Sequence, residues 1–360
     1  SEWGHDFRPE YRNIKSVLDQ INSKTPIIAL TATATPKVQS DILKNLEISD
    51  ANIFKSSFNR PNLFYEVKSK TESVNSDLIK FVKKNKGKSG IIYCLSRKKV
   101  EEIAQLLILN NIKAVAYHAG LDSKLRHLNQ DKFLMEDVDV VVATIAFGMG
   151  IDKPDIRFVI HYDVPKSLEG YYQETGRAGR DGGEGYCLAY YSHKDIEKLE
   201  KFLESKPKSE KDIASLLLEE VTAYCLTSLS RRKYLLNYFG EYFDSEIGEG
   251  RLMDDNMQNP KKSIDAGEDL ISVLKLLIDT KFIYKQKDIV SILIGQSNAL
   301  LNSHNITSNP NFGIGKSKDA SYWRSLIWHA RVESYMNKNI ENYGSIGITE
   351  LGHSFLENPV

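Results

Sequence analysis

Apolar strand-like runs alternating with helical segments predict an α/β chain built on a parallel sheet, with a smaller helical region after it. Two observations carry that expectation. Strand candidates at 90–94, 113–117, 138–143, 158–162 and 185–191 are separated by helix candidates near 74–85, 97–110, 123–135 and 167–176, the alternation of a parallel sheet covered by helices. Beyond them a charged stretch, 194–211, opens a region that reads as helical.

The amino-terminal part is expected to run helix, strand (26–30), loop (Thr31 to Thr35), then helix. Thr35 serves as the cap and Pro36 sits in the first turn, where its missing N–H costs nothing.

Bulk properties set bounds. A length of 360 residues suggests two or three domains. A hydrophobic fraction of 41% supports packed cores, and 48 basic against 48 acidic residues leave no net charge, so any nucleic-acid contact must come from local patches. Three cysteines (Cys94, Cys187, Cys225) read as buried thiols of a reducing, cytoplasmic compartment rather than a disulfide frame. No apolar run has membrane-spanning length, and no membrane partner is expected.

The most informative stretch is 173–182, Gln-Glu-Thr-Gly-Arg-Ala-Gly-Arg-Asp-Gly, just after Tyr171 and Tyr172. Arginines at i and i+3 often only decorate a helix, but Gly176 and Gly179 would weaken a helix that needed nothing beyond solubility. Guanidinium forks that bind phosphate oxygens bidentately give the pair a chemical purpose. Upstream, 140–152 reads as a β-branched strand, a glycine turn carrying Gly148 and Gly150, and the acid Asp152. Such a strand is expected to deliver its loop to the carboxyl edge of the sheet, where ligands bind in open α/β folds.

Together these pieces resemble the last two motifs of superfamily-two helicases, and specifically the RecQ family. The likeness extends to Leu30-Thr31-Ala32-Thr33-Ala34-Thr35, Phe58-Asn59-Arg60-Pro61-Asn62-Leu63, 90–97 and Tyr117-His118-Ala119-Gly120-Leu121. It implies RecA-like parallel-sheet helicase lobes, then a helical subdomain and a winged-helix domain. The expected divisions are 1–57 (end of the first lobe), 58–205 (second lobe), 206–262 (helical subdomain) and 263–360 (winged helix). His118 stands open between a core histidine and a loop contact.

The resemblance also implies roles. Arg180 is expected as the arginine finger of ATP hydrolysis, with Arg177 and Gln173 beside it. Asp152, Gly150 and Arg60 are expected at the nucleotide, ATP with Mg2+, and Thr31 and Thr33 in coupling it to DNA. Trp3, Phe7 and Arg8 resemble an aromatic loop that senses single-stranded DNA, since aromatic faces stack bases of any sequence. Ser96, Arg97 and Thr144 are expected on the DNA phosphates, and Tyr322, Trp323 and Arg324 on duplex ahead of the fork. The expected activity is 3′ to 5′ unwinding in recombination and repair, by a monomer acting on single-stranded and forked DNA. The chain holds no Gly-x-x-x-x-Gly-Lys-Ser/Thr loop to cradle phosphates, so it is expected to be part of a longer helicase and not to hydrolyse ATP alone. The rival reading is a DNA-binding module without motor activity.

One departure from the family pattern stands out. RecQ proteins usually place four cysteines in the helical subdomain, whereas the matching positions here are Ser230, Arg251, Asp254 and Met257. None of these four supplies a thiolate for a tetrahedral zinc site, and Cys225 is the one other cysteine nearby, so no structural zinc is expected and packing is expected in its place.

Overall fold

A computed structural model of the chain describes residues 13–21, 25–148, 152–339 and 344–359. The chain divides into two compact units, one holding residues 1–225 with 230–258 and the other 226–229 with 259–360.

In the first unit, α1 (Ile14–Ile21) and α2 (Pro36–Leu46) precede the sheet. Thr35 caps α2, its hydroxyl accepting from the Val38 N–H, with Pro36 as the first helical residue. The strand expected at 26–30 is not formed: Ile28 and Leu30 stand exposed, and no described strand offers them a ladder, without which extended backbone is not a strand.

The sheet is built from β1 (Leu63–Ser69), β2 (Gly90–Tyr93), β3 (Ala114–Tyr117), β4 (Val140–Ala143), β5 (Phe158–His161) and β6 (Gly185–Tyr191). Its order is β1-β6-β5-β2-β4-β3 and every pairing is parallel. Crossovers are made by α3 (Val74–Lys84), α4 (Arg97–Leu109), α5 (Ser123–Leu134) and α6 (Leu168–Thr175). Every residue of β2, β4 and β5 is buried, which is why these strands read as unbroken apolar runs rather than alternating ones. Val100, Ile103, Ala104 and Leu107 of α4 pack with Ile92, Val142 and Ile160 into one core. β1, not anticipated from the sequence, mixes polar and apolar residues and lies at the sheet edge beside β6.

Beyond β6 come α7 (His193–Leu203), α8 (Lys208–Leu226), α9 (Arg231–Tyr238) and the short α10 (Asp255–Gln258). The second unit holds α11 (Gly267–Asp279), α12 (Gln286–Ile294), α13 (Ala299–Ser303), α14 (Ala320–Val332), the antiparallel pair β7 (Met336–Asn339) and β8 (Ser345–Ile348), and α15 (Glu350–Glu357). Leu274, Leu277, Ile289, Leu293, Ile327, Ile346 and Phe355 close its core. The β7–β8 pair runs from Met336 opposite Ile348 to Asn339 opposite Ser345.

Candidate functional site

Strand direction fixes where the site residues stand. Because β4 and β5 are parallel, the segment between them must travel from the carboxyl edge of the sheet back to the amino edge. Thr144 leaves β4 at the carboxyl edge, while the Arg157 N–H bonds the Ser89 carbonyl just before β2 begins. The strand thus delivers its loop to the carboxyl edge at Thr144, as expected, but Asp152 belongs to the returning part of that segment, beside Arg180.

The glycine-arginine loop, 176–183, stands at the amino ends of β1, β5 and β6. The Gly179 N–H donates to the Ile156 carbonyl and the Asp181 N–H to the Pro154 carbonyl. Gly179 adopts a left-handed φ of 56°, and a Cβ there would come within 2.4 Å of the Gly183 carbonyl oxygen, so glycine is required for this turn. Arg180 Nη1 bonds Asp152 Oδ1 at 3.1 Å, and the Asp152 side chain is 90% exposed. Arg177 Nη1 bonds the Gly148 carbonyl; a Cβ on Gly148, whose φ is 130°, would lie 2.2 Å from the guanidinium carbon. Arg157 pairs with Asp181, and this hydrogen bond with the Gly183 N–H holds the Asp181 carboxyl below its ordinary range.

Arg60 stands behind the loop. Its Nη1 donates to the Gly176 carbonyl at 3.3 Å, and its Nη2 to the carbonyls of Ala178 (3.0 Å) and Gly179 (2.9 Å). Asn62 adds bonds to the carbonyls of Gly179 and Gly183. Sequence reasoning placed Arg60 at the nucleotide and missed this bracing; the only signal was its place in the quoted Phe58–Leu63 motif. Gln173 Nε2 donates to Thr33 Oγ1 at 2.6 Å, joining α6 to the threonine loop. Thr31 Oγ1 bonds the Thr33 carbonyl, so these threonines also order their own turn.

A second group gathers at the carboxyl edge. Ser96 caps α4 by accepting from the Lys99 N–H at 3.1 Å, Arg97 is exposed in its first turn, and Thr144 follows the adjacent strand β4. Lys70 bridges Asp163 (2.5 Å) and Asp195 (2.9 Å) here, and Asp163 also accepts from the Leu95 N–H. A cavity of about 250 Å³ lies among Cys94, Thr144, His161, Lys166 and Ser167. The buried His161 bonds Glu174 through Nε2 at 2.5 Å. His118 is buried too: its Nδ1 accepts from the Gly120 N–H and its Nε2 meets Glu101, which settles it as a loop-ordering histidine.

In the second unit Arg324 is exposed on α14, but Trp323 is not available to DNA. Trp323 is 2% exposed, its indole N–H donates to the Gly315 carbonyl at 2.9 Å, and it belongs to the core. Spacing on α14 turns it inward, one residue before the exposed Arg324. Tyr322 is half-buried, and its hydroxyl meets the Asp269 carboxylate. Trp3, Phe7, Arg8 and Gly150 lie outside the described residues.

The four positions matched to zinc-binding cysteines form no donor set. Ser230 Oγ donates to Asp254 Oδ2 at 2.8 Å, both residues being buried, while the Met257 N–H donates to Asp254 Oδ1 at 2.9 Å. Ser230 also caps α9 through the Lys233 N–H. Burial raises the Asp254 carboxyl above its usual range, which favours the neutral form and opposes the anion a metal would need. Arg251 donates to the Glu246 carbonyl and brings a cation where a ligand would have to be. The residues present do not fit a zinc ion.

Three family profiles match the chain: "Helicase conserved C-terminal domain" over residues 73–182, "RecQ zinc-binding" over 193–250 and "RQC domain" over 260–360. The chain is 40% identical to an ATP-dependent DNA helicase RecQ of Pasteurella multocida over 91% of its length, covering 51% of that protein. It is 33% identical to the Bacillus subtilis protein of the same name over 99% of its length, covering 60% of it. With the ATP-dependent helicase SGS1 of Saccharomyces cerevisiae it shares 38% identity over 91% of its length, covering 23%. The chain thus spans between a quarter and three fifths of these relatives.

Proposed function

We infer, because the chain belongs to the RecQ family of helicases, that it is part of an ATP-driven motor moving 3′ to 5′ along one DNA strand. The observation that carries this reading is the braced arginine loop, in which Arg180 pairs with the exposed carboxylate of Asp152. An exposed ion pair is worth about 0–1 kcal/mol. Stabilising the charge on a transferring phosphoryl group by an arginine finger is worth about 10³–10⁵ in rate, roughly 4–7 kcal/mol. Giving up the Asp152 pair therefore costs little beside what contact with a γ-phosphate supplies.

In this mechanism Arg180 is the finger, Arg177 and Gln173 complete the arginine edge, and Asp152 receives the ribose or couples the loop to it. Gln173 passes the nucleotide state to Thr33 and so to the threonine loop. Ser96, Arg97 and Thr144, on the opposite edge of the sheet, take phosphates of the translocated strand, while Arg324 takes duplex phosphates. ATP binding and hydrolysis close and reopen the two motor lobes, and DNA gripped on the carboxyl edge advances. Mg2+ arrives with ATP. The substrate is single-stranded and forked DNA, in recombination and repair, and the protein acts as a cytoplasmic monomer. With no phosphate-cradle sequence, this chain alone hydrolyses no ATP. Its helical subdomain folds without zinc, on the Ser230–Asp254 bond and its neighbours.

The test joins this chain to a phosphate-cradle lobe and measures DNA-stimulated ATP hydrolysis. Arg180→Ala is expected to lower turnover by about 10³ or more. Undiminished hydrolysis in that variant rejects the finger. DNA binding without hydrolysis in the joined parent favours a DNA-binding module.

A further inference from the structure

We propose that Arg60 and Arg232 are positioning residues: two guanidinium groups in series through which the helical subdomain sets the shape of the arginine loop. This rests on the reading of that loop as the phosphate-facing element.

Arg232, on α9, is 1% exposed. Its Nε donates to the Gly250 carbonyl (3.0 Å), its Nη1 to Asn59 Oδ1 (2.7 Å) and the Arg60 carbonyl (2.8 Å), and its Nη2 to the Leu63 carbonyl (2.7 Å). One planar fork thus ties the 248–250 turn to the segment leading into β1. Arg60 then repeats the device one step further, its side chain gripping three carbonyls of the loop. Lysine, with a single nitrogen, cannot span either set of acceptors.

Other contacts make the 57–63 segment a hub. The Phe58 N–H donates to Glu241 at 2.7 Å, and the Phe58 ring stacks on Phe239 at 4.7 Å. The Tyr172 hydroxyl on α6 donates to the Phe58 carbonyl at 2.7 Å. Gly250, with a left-handed φ of 77°, lets the subdomain backbone approach until a Cβ would lie 2.8 Å from the Pro61 Cα. The Gly185 N–H bonds the Asn62 carbonyl where β6 begins. Residues 232, 239, 241 and 250 therefore hold one face of the segment, and the loop and α6 hang from the other. Ser230, which caps α9 two residues before Arg232, links the loop's support to the buried Asp254 carboxyl.

Arg60→Ala and the milder Arg232→Lys are compared with the parent by hydrogen exchange of the 360-residue chain, with no nucleotide present. In both variants the amides of Gly179, Gly182 and Gly185 are expected to exchange at least tenfold faster (about the factor that one lost hydrogen bond gives), while those of β2 keep their rate. Unchanged protection of the loop in Arg232→Lys overturns the relay. In the polypeptide that joins this chain to a phosphate-cradle lobe, both variants are expected to lower kcat about 10- to 100-fold with the Kd for ATP unchanged. Loss of ATP binding in step with kcat, or an unchanged kcat, overturns the positioning role. If the joined parent hydrolyses no ATP, the motor reading falls by itself, and the exchange data still decide the relay.

Discussion

Replacing Asp254 by alanine is expected to destabilise the first unit by about 2–4 kcal/mol. The carboxyl is fully buried and accepts two hydrogen bonds, from the Ser230 hydroxyl at 2.8 Å and the Met257 N–H at 2.9 Å. Each donor left unmade in the interior costs about 1–3 kcal/mol, and the Ser230 hydroxyl keeps its capping contact with the Lys233 N–H, which moderates the sum. Asparagine separates the bond from the charge. Burial raises the Asp254 carboxyl, so the fold binds its proton more tightly than the unfolded chain does. The resulting stability is complete below the unfolded value of about 4 and is lost as pH rises through the folded value. Asp254→Asn keeps an acceptor without the charge; it should match or exceed the parent near pH 7 and show a flatter dependence on pH above about 4. Urea unfolding followed by circular dichroism, fitted with one transition per unit, measures both. Asp254→Ala within about 0.5 kcal/mol of the parent would refute the argument, as that is the scatter of neutral surface changes. A strong chelator that lowers the parent's midpoint would refute it differently, by showing that a metal holds the subdomain.

Gly148→Ala places a methyl group against the Arg177 guanidinium and forces a left-handed alanine; ATP turnover in the joined polypeptide should fall at least tenfold, and normal kinetics would show that Arg177 has room to move. Trp323→Ala removes a buried indole and its bond to Gly315, so the second unit should lose about 3–5 kcal/mol by urea unfolding, with the first transition unmoved. Arg324→Ala should leave that stability intact and reduce the salt slope of duplex binding by about one, measured by fluorescence anisotropy across salt concentrations. Burial pushes the Cys187 and Cys225 thiols up to about 12; both should resist a thiol reagent at pH 8 until urea unfolds the chain, and rapid labelling of the folded protein would contradict their burial.

The sheet was legible because β2, β4 and β5 are buried on both faces, so each is a plain apolar run that needs no knowledge of its neighbours. The Thr35–Pro36 helix start was legible for a similar reason, since capping chemistry is local. β1 was not, because at the sheet edge its polar residues are tolerated and its pairing with β6 joins segments far apart in the chain. Trp323 and Arg324 show the same limit within one turn: adjacent residues shared one expected role, and the helix phase that separates them is set by what α14 packs against.

Sequence alone determined the chemistry present: two arginines among glycines, an acid after a strand, threonines before a helix, and no cysteine at Ser230, Arg251, Asp254 or Met257. Tertiary structure alone decided how that chemistry is deployed. It carried Asp152 to the amino edge, turned Arg60 into the brace of the loop, and buried Arg232 as the link behind it. The physical reason is range. Residue type fixes charge, donors and backbone freedom at each position, but a guanidinium takes its role from whichever carbonyls or carboxylates the fold brings within hydrogen-bond reach, and for Arg60 and Arg232 most of those lie more than a hundred residues away in the chain.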